Sequence, residues 1–387
     1  SKGMDFNYTE DQSAIRELAY QIFTDRATDE FLLNFSRGEE TYDSGLWTTL
    51  AEQGLLGIAV PEAAGGSGLG LTELCLMLEE QGRRVAPIPL FSCLVLGGLP
   101  IAEYGTDQQQ QKWLTELASG QSKFSAAIAD LGMNSALTTS VTAVRGSDDN
   151  WTLNGTKAMV PDGAVADYIL VPAATGEDET SVFVVPVAQT GVDLTAVEIG
   201  ISGQRAAHLT LDDVHVTSEA LLGAQGQGNT IVDWLEERAN IAHCAQQVGV
   251  TEEAMKRTAQ YVSERNQFGV PLGSFQALAM RMADSYIDVE AIRTTYWLAL
   301  WCLSNGKEAR AEVRAAKWWA CDASHRVVCT AQHLHGGMGA DVEYPIHRFY
   351  LLAKQISYSL GNAGQQLEKL GELLAADRTL GFRSLEV

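Results

Sequence analysis

The sequence is poor in basic residues and has no long apolar run. Its 387 residues include 27 lysines and arginines against 49 aspartates and glutamates, which gives a formal net charge of −22 at pH 7. This acidic balance argues against nucleic acid or an anionic membrane surface as a partner. No stretch reaches ~18 consecutive apolar residues, so the sequence predicts neither a membrane-spanning helix nor a signal peptide.

Cysteine is scarce and scattered, and neither CxxC nor any Cys/His metal spacing occurs. The six thiols lie mostly in apolar, helix-like runs, at Cys75, Cys93, Cys244, Cys302, Cys321 and Cys329. We expect small buried side chains in a reducing compartment, hence a cytoplasmic protein without a metal site. No metal spacing relates the other histidines, and His335, beside Gly336, is expected to be packed and hydrogen-bonded.

Apolar periodicity divides the chain into three parts. Residues 8–122 show amphipathic helical patterns, and helical patterns resume after Gly228. Between them, short alternating or apolar runs separated by Gly, Asp and Asn turns indicate a small antiparallel β-barrel or sandwich. We therefore predict a mainly α protein with a helical domain (1–122), a β-domain (123–225) and a helical C-terminal domain (226–387).

Two adjacent glutamates near the start of the C-terminal part have different surroundings on a helical wheel. Glu237 falls within an apolar stripe formed by Trp234, Ile241, Cys244, Ala245 and Val248. Glu236 lies about a quarter-turn away, on a face predicted to be wet, with Asn240, His243 and Gln247. A carboxylate that faces an apolar core must be paired with a cation, be protonated or serve in catalysis. Apolar walls that raise the pKa of a carboxyl also suit a base that abstracts protons. Glu237 is thus the candidate base, and Glu236 is expected to be a surface charge.

A second helix is predicted to start near Thr251 and to end in the segment Ser263-Glu-Arg-Asn-Gln-Phe-Gly269. Arg265 and Gln267 at that end offer a cationic fork and an amide to an anion. An arginine near a helix C-terminus is also a common partner of the helix dipole, so the residues alone leave both interpretations open.

Two segments in this order resemble the signatures of the acyl-CoA dehydrogenase family. They are Glu264-Arg-Asn-Gln-Phe-Gly269 with the following Phe275-Gln276, and His335-Gly-Gly-Met-Gly339 with the following Tyr344-Pro-Ile-His-Arg-Phe-Tyr350. The likeness runs from about Asp5 to the last helix. It implies a helical N-terminal domain, a central β-domain and a C-terminal four-helix bundle. It also implies a flavoenzyme that forms an α,β double bond in an acyl-CoA and passes electrons to an electron-transfer flavoprotein.

The resemblance assigns roles to individual positions. Most family members carry the catalytic glutamate near the C-terminus, where this chain has Leu360, whereas a smaller group carries it before an arginine, as in Glu237-Arg238. Arg238 is then the electrostatic partner at the substrate, although an ion pair with Glu236 or Asp233 stays open. The residues matched to binding of flavin adenine dinucleotide (FAD), typically across a dimer interface of a tetramer, are Arg265, Gln267, Phe268, Gln276, His333, Gly336 and Gly337.

The β-domain departs from the family pattern. The usual Thr-Glu-Pro-Gly-Ala-Gly-Ser-Asp segment is replaced by residues 129–136, and the usual Trp-Ile-Thr by Met159-Val160-Pro161. Similar departures occur in subunits of heteromeric dehydrogenases that act on bulky, dicarboxylic or steroid acyl-CoAs. Two alternatives therefore stand beside a self-sufficient dehydrogenase: an accessory subunit without a complete flavin site, and an oxidase or monooxygenase of the same fold.

Overall fold

The computed structural model describes residues 7–128, 139–198 and 205–380. Contacts divide the chain into two compact units: residues 1–39, 71–86 and 240–387 form the first, and residues 40–70 and 87–239 the second. The predicted order of helices, strands and helices is confirmed. None of the helices in the described ranges is both long enough and apolar enough to cross a membrane.

The helices fall before and after the strands along the chain. Those before the strands are α1 Glu10–Arg26, α2 Asp29–Ser36, α3 Ser44–Glu52, α4 Leu71–Arg84, α5 Leu99–Tyr104, α6 Asp107–Gln109 and α7 Thr115–Ala118. Those after the strands are α8 Gly228–Glu264, α9 Gln276–Ser304, α10 Arg310–Leu334, α11 Ile346–Tyr358 and α12 Ala363–Ala376. Two π-helical segments, Phe91–Gly98 and Gln110–Leu114, precede α5 and α7.

The second unit contains a mixed sheet. Its strands are β1 Phe124–Ala126, β2 Thr142–Arg145, β3 Trp151–Val160, β4 Tyr168–Gly176, β5 Glu179–Pro186, β6 Val192–Glu198, β7 Arg205–Val216 and β8 Leu221–Leu222. They pair in the order β6-β7-β3-β2-β4-β5-β8, with β1 added beside β4. The β1–β4 and β2–β4 pairings are parallel, so the expectation of a purely antiparallel sheet is wrong at these two pairs.

The sheet encloses an apolar core that the alternating sequence pattern supplies. Trp151 packs edge-on against Phe183 at 5.2 Å between ring centroids, among buried valines and leucines from β3, β4, β5 and β7. Bulges interrupt the β3–β7 register after Leu153 and after Lys157. Bulges bend a strand and change the direction of the side chains near it. Here the second bulge lies directly before Met159-Val160-Pro161, the segment that departs from the family pattern.

In the first unit, α4 and α8 approach so closely that only glycine fits at two places. A Cβ on Gly249 would lie 1.9 Å from the Glu79 carbonyl oxygen, and one on Gly82 would lie 2.2 Å from the Gln246 carbonyl oxygen. The chain continues through this crossing without a break, as the single 37-residue helix α8. The predicted helix start near Thr251 is therefore wrong. Thr251 lies inside α8, and its hydroxyl donates to the Gln247 carbonyl one turn earlier, at 2.7 Å.

Asp162 follows β3 in a left-handed conformation (φ 49°) and gives one pH-dependent prediction. Its Oδ2 accepts a 2.6 Å hydrogen bond from Ser92, and burial raises the pKa of its carboxyl to about 6 although that bond lowers it. Because the pKa of this carboxyl rises on folding, the folded protein loses stability as pH rises from about 4 to about 6. We expect Asp162→Asn, which keeps the acceptor, to raise the free energy of unfolding at pH 7.5 by about 1–2 kcal/mol.

Chemical denaturation of both proteins at several pH values tests this prediction. The difference should vanish below about pH 4, where the native carboxyl is already protonated. Ser92→Ala serves as a companion, because it removes the hydrogen bond and leaves the carboxyl. Equal stability of wild type and Asp162→Asn from pH 4 to 8 would show that Asp162 carries no such penalty.

Candidate active site

Glu237 and Arg238 lie on α8, in the second unit, with their side chains 19% and 18% exposed. Arg238 Nη1 is 3.8 Å from Glu237 Oε2, which is close enough for an ion pair and too long for a hydrogen bond between these two atoms. The same Nη1 donates to the Trp234 carbonyl oxygen at 3.1 Å. Burial lowers the pKa of Arg238, whereas the negative charges of Glu237 and Glu103 raise it. Glu237 is therefore a half-buried carboxylate beside a partly desolvated cation.

The predicted contrast between the two glutamates is wrong. Glu236 is only 7% exposed, and Asn240, His243 and Gln247 are all buried. In the first unit this face of α8 is polar and internal: Gln247 Nε2 donates to the Ala353 carbonyl oxygen at 2.9 Å and to Ser324 Oγ at 3.2 Å. A wheel places polar residues on one face but cannot show that other helices cover that face and satisfy them.

The Arg265 segment forms an exposed two-stranded hairpin in the first unit. Asn266–Gln267 (β9) pairs with Val270–Pro271 (β10), and the turn residues Phe268 and Gly269 have φ values of 57° and 83°. This is the backbone of a tight hairpin turn, in which Asn-Gly is the favoured pair. Phe268 is 91% exposed, and a left-handed conformation costs such a residue about 1–2 kcal/mol. Phe268 therefore combines a strained backbone conformation with an exposed aromatic ring.

Arg265, Gln267 and Gln276 are exposed on the same unit. Arg265 begins the hairpin, and its backbone carbonyl accepts from Leu272 at 2.8 Å, which closes the loop. Gln276 is the first residue of α9, where the free backbone N–H groups of a helix start favour an anion. The predicted cationic fork and amide donors are thus both directed away from the unit's core.

His333 and the glycine pair lie at the C-terminal end of α10. The Arg281 guanidinium, which can only donate, bonds to His333 Nδ1 at 2.6 Å, so the ring proton is on Nε2. Gly336 adopts φ 58°, and a Cβ on Gly336 or Gly337 would meet no atom within 4 Å. Both glycines therefore border open space, and their role in cofactor binding stays a prediction. His335 beside them is packed, stacked on Tyr261 at 4.3 Å between ring centroids, as predicted.

The sequence did not single out Arg281. It lines a cavity of about 530 Å³ between α9 and α10, together with Asp284, His325 and Arg326. Arg326 is neutralised there by a two-pronged bond to Asp288 at 2.7 and 2.9 Å. Arg281 instead contacts the neutral acceptors His333 and Thr330. Since Arg281 and His333 lie 52 positions apart in the sequence, no local spacing indicates this pair.

The remaining expectations differ in how far the structure describes them. Leu360, where most family members have the base, follows α11 in a left-handed conformation (φ 57°). Met159 is 39% exposed and also left-handed (φ 53°), and Ser125 donates to the Pro161 carbonyl oxygen. The altered segment 129–136 lies outside the described residues.

Five of the six free cysteines are buried and Cys329 is half-buried. Across the described ranges, no group of three or more potential ligands is arranged for a metal ion.

Three family models together match most of the chain. The acyl-CoA dehydrogenase N-terminal, middle and C-terminal domain models match residues 9–121, 125–214 and 226–374. The acyl-CoA dehydrogenase FadE27 of Mycobacterium tuberculosis is 34% identical over 380 residues, covering 96% of this chain and 99% of that protein.

Solved structures agree with this assignment. A chain of the Tcur3481-Tcur3483 steroid acyl-CoA dehydrogenase G363A variant is 42% identical, with a TM-score of 0.88, and covers 96% of this chain and 99% of that one. A chain of the ChsE4-ChsE5 complex from Mycobacterium tuberculosis is 34% identical, with a TM-score of 0.90 and the same coverage. This chain therefore belongs to the acyl-CoA dehydrogenase family, FAD-dependent oxidoreductases that act on the CH–CH bond of acyl-CoA thioesters.

Proposed function

We propose that Glu237 is the base that removes the α-proton of the acyl-CoA, with Arg238 as its electrostatic partner. The observation that carries the proposal is the half-buried carboxylate whose Oε2 lies 3.8 Å from the Arg238 guanidinium. A nearby cation favours the carboxylate over the neutral acid, and the carboxylate is the form that can take up a proton. Leu360 supplies no alternative carboxylate at the position that most family members use.

The residues matched to the cofactor fit a dinucleotide. Arg265 supplies a cation, Gln267 and Gln276 supply amides, and the exposed Phe268 ring supplies a flat apolar face. Gly336 and Gly337 leave the backbone open, and the tautomer of His333 offers an N–H donor. These are the groups that phosphates and an adenosine need.

Bound FAD supplies the hydride acceptor, and the protein's residues supply binding and proton transfer. Arg265 and the start of α9 would bind the pyrophosphate, and the glutamines would fix the adenosine half. Glu237 holds the α-proton as the C–H bond breaks, and a positioned base contributes ~10²- to 10⁴-fold in rate. Stopped-flow measurement of flavin bleaching together with enoyl-CoA formation tests the whole assignment.

We propose a bulky acyl group, of the steroid side-chain type, as the substrate class. Support comes from the similarity to a steroid acyl-CoA dehydrogenase at 42% identity over almost the full chain. Anaerobic titration with a panel of straight-chain, dicarboxylic and steroid thioesters measures the preference. Tighter binding and faster bleaching with a short straight-chain thioester than with a steroid one would reject this substrate class.

We also propose a dimer of dimers, either of this chain or with a related subunit. The exposed hairpin supports it, since Phe268 at 91% exposure leaves an apolar ring for another surface. The second candidate, an accessory subunit without a complete flavin site, is favoured by Met159-Val160-Pro161 and by the similarity to a two-protein complex. A visible spectrum and flavin quantification of the chain expressed alone separate the two. One tightly bound flavin per chain rejects an obligatory partner.

Three further expectations complete the proposal. Electron-transfer flavoprotein is the proposed electron acceptor, and peroxide formation under air distinguishes it from an oxidase. The cytoplasm is the proposed location, supported by six free cysteines. The division into domains at 1–122, 123–225 and 226–387 remains a proposal, which limited proteolysis near residues 123 and 226 would test.

Phe268→Asn should separate stability from cofactor binding. Asn tolerates the left-handed turn that strains Phe, so the variant's melting temperature without FAD should equal or exceed that of wild type. Loss of the aromatic face should weaken FAD binding about 2- to 10-fold, as measured by fluorescence titration of the apoprotein. Val144→Asn, at another exposed apolar residue (66%), is the matched control and should leave FAD affinity unchanged. Unchanged affinity in Phe268→Asn would remove Phe268 from the cofactor site.

A further inference from the structure

Arg238 rests on an aromatic platform that no part of the proposed function explains. Its guanidinium carbon lies 3.9 Å from the centroid of the Trp234 ring, four residues earlier on α8. Tyr104, the last residue of α5, packs edge-on against the same indole at 5.5 Å with the ring planes at 83°. The indole therefore contacts the Tyr104 ring in a T-shaped pair and has the guanidinium over one face.

This arrangement limits where the guanidinium can go. Nη1 donates to the Trp234 carbonyl oxygen at 3.1 Å, while the guanidinium carbon lies over the indole ring. A cation over Trp is attracted by the ring quadrupole, and the attraction grows when the cation is partly desolvated. At 18% exposure the Arg238 side chain has lost much of its water. Two contacts to Trp234 thus hold the charge in place, and the 3.8 Å separation of Nη1 from Glu237 Oε2 follows from them.

Glu237 and Arg238 share acidic surroundings. Asp233 and Glu236 precede Glu237 on α8, and Glu103 and Tyr104 on α5 act electrostatically on Arg238 together with Glu237. Acidic neighbours favour a protonated Glu237, whereas a fixed guanidinium favours the carboxylate. The position of Arg238 is therefore the geometric feature that favours the carboxylate form of Glu237 at this site.

We propose that Trp234, supported by Tyr104, is a positioning residue for proton abstraction, because it holds the Arg238 guanidinium where it keeps Glu237 an ionised base. The proposal rests on Glu237 being the base. Trp234 and Tyr104 lie outside the Glu-Arg pattern that indicated Glu237 and Arg238. Loss of the platform frees the arginine side chain to extend into water, where its field at Glu237 is screened. The effect on proton abstraction should resemble that of removing the Arg238 charge.

The test follows proton abstraction without oxidation. An acyl-CoA analogue with sulfur in place of C3 keeps its α-protons and has no β-hydrogen to transfer. In D₂O the base removes an α-proton and returns a deuteron, and mass spectrometry of the recovered thioester gives the exchange rate. Rates are measured against pH for wild type, Trp234→Leu, Trp234→Phe, Arg238→Gln and the Trp234→Leu/Arg238→Gln double variant. Melting temperature and flavin content of each variant control for folding.

We expect Trp234→Leu to lower the exchange rate at pH 7 about 3- to 10-fold and to move the rising limb of the pH profile to higher pH, as Arg238→Gln does. The double variant should be no slower than Arg238→Gln alone, because both changes remove the same interaction. Trp234→Phe, which keeps an aromatic face, should recover most of the rate.

Two results overturn the proposal. One is additive losses in the double variant. The other is a Trp234→Leu pH profile that keeps its wild-type midpoint with unaltered flavin content. Glu237→Gln distinguishes failure of this inference from failure of the base assignment: if exchange persists in that variant, Glu237 is not the base. If exchange stops there but Trp234 and Arg238 act additively, only the positioning role is wrong.

Discussion

Replacing Glu237 with Gln is expected to lower the rate of flavin reduction by acyl-CoA at least ~10²-fold, while FAD remains bound. Gln has nearly the same shape as Glu and cannot take a proton, so the loss reports chemistry rather than packing. The measurement is anaerobic stopped-flow absorbance with saturating substrate, which separates the chemical step from binding. The flavin content of the purified variant confirms that the cofactor site is intact.

The neighbouring residue provides a matched control. Glu236 is on the same helix and is more buried, at 7% exposed, so Glu236→Gln makes the same chemical change at an adjacent position. We expect that variant to keep its rate within a few-fold, with any effect appearing in the melting temperature. The assignment would be contradicted by a slow Glu236→Gln variant beside a fast Glu237→Gln variant, since this would move the base by one residue.

Arg83→Met is expected to destabilise the protein by about 3–5 kcal/mol. Arg83 is 7% exposed and joins three carboxylates: its Nε donates to Glu80 at 2.9 Å, its Nη2 to Glu79 at 3.2 Å, and its Nη1 to Glu252. Burial raises the pKa of Glu79, although Arg83, Arg16 and Arg293 lower it. Methionine fills a similar volume but leaves buried carboxylates without their central cation, and these must then protonate or be hydrated.

Urea unfolding of the variant across pH measures this effect. Burial already raises the pKa of Glu79, and Arg83→Met removes the cation that lowers it most, so the variant should lose stability as pH rises above the ordinary glutamate pKa of about 4.3. Arg310→Met is the control, since it removes an ion pair with Glu308 in which the two side chains are 61% (Arg310) and 43% (Glu308) exposed. It should lower the free energy of unfolding by less than about 1 kcal/mol. Equal effects of the two variants would show that burial of the Arg83 network does not matter.

The sequence was informative where one segment carries its own signal. The change from helical to strand periodicity near Lys123 and back after Gly228 matches the observed elements, since each helix or strand buries a face that its own residues define. The helix end predicted within residues 263–269 is likewise local: α8 ends at Glu264, and the Phe268-Gly269 hairpin turn follows. The family motifs also led to the correct family.

Long-range packing was not accessible in the same way. The wheel treated α8 as a helix with one wet face, whereas Gln247 on that face is fully buried and bonds to two other helices. The T-shaped contact of Tyr104 with Trp234 joins residues that are 130 positions apart, and the Arg281–His333 pair joins residues 52 apart. Glu79, Glu80 and Arg83 have the spacing of surface ion pairs, and only the packed helices show that they are internal.

The central claim is that this chain carries its own base for acyl-CoA dehydrogenation. Anaerobic titration of the purified, flavin-loaded chain with a steroid side-chain thioester tests it most directly. The predicted result is loss of the flavin's visible absorbance, with one enoyl-CoA formed per flavin. A fully flavin-loaded chain whose absorbance stays unchanged with every thioester in the panel would contradict the claim.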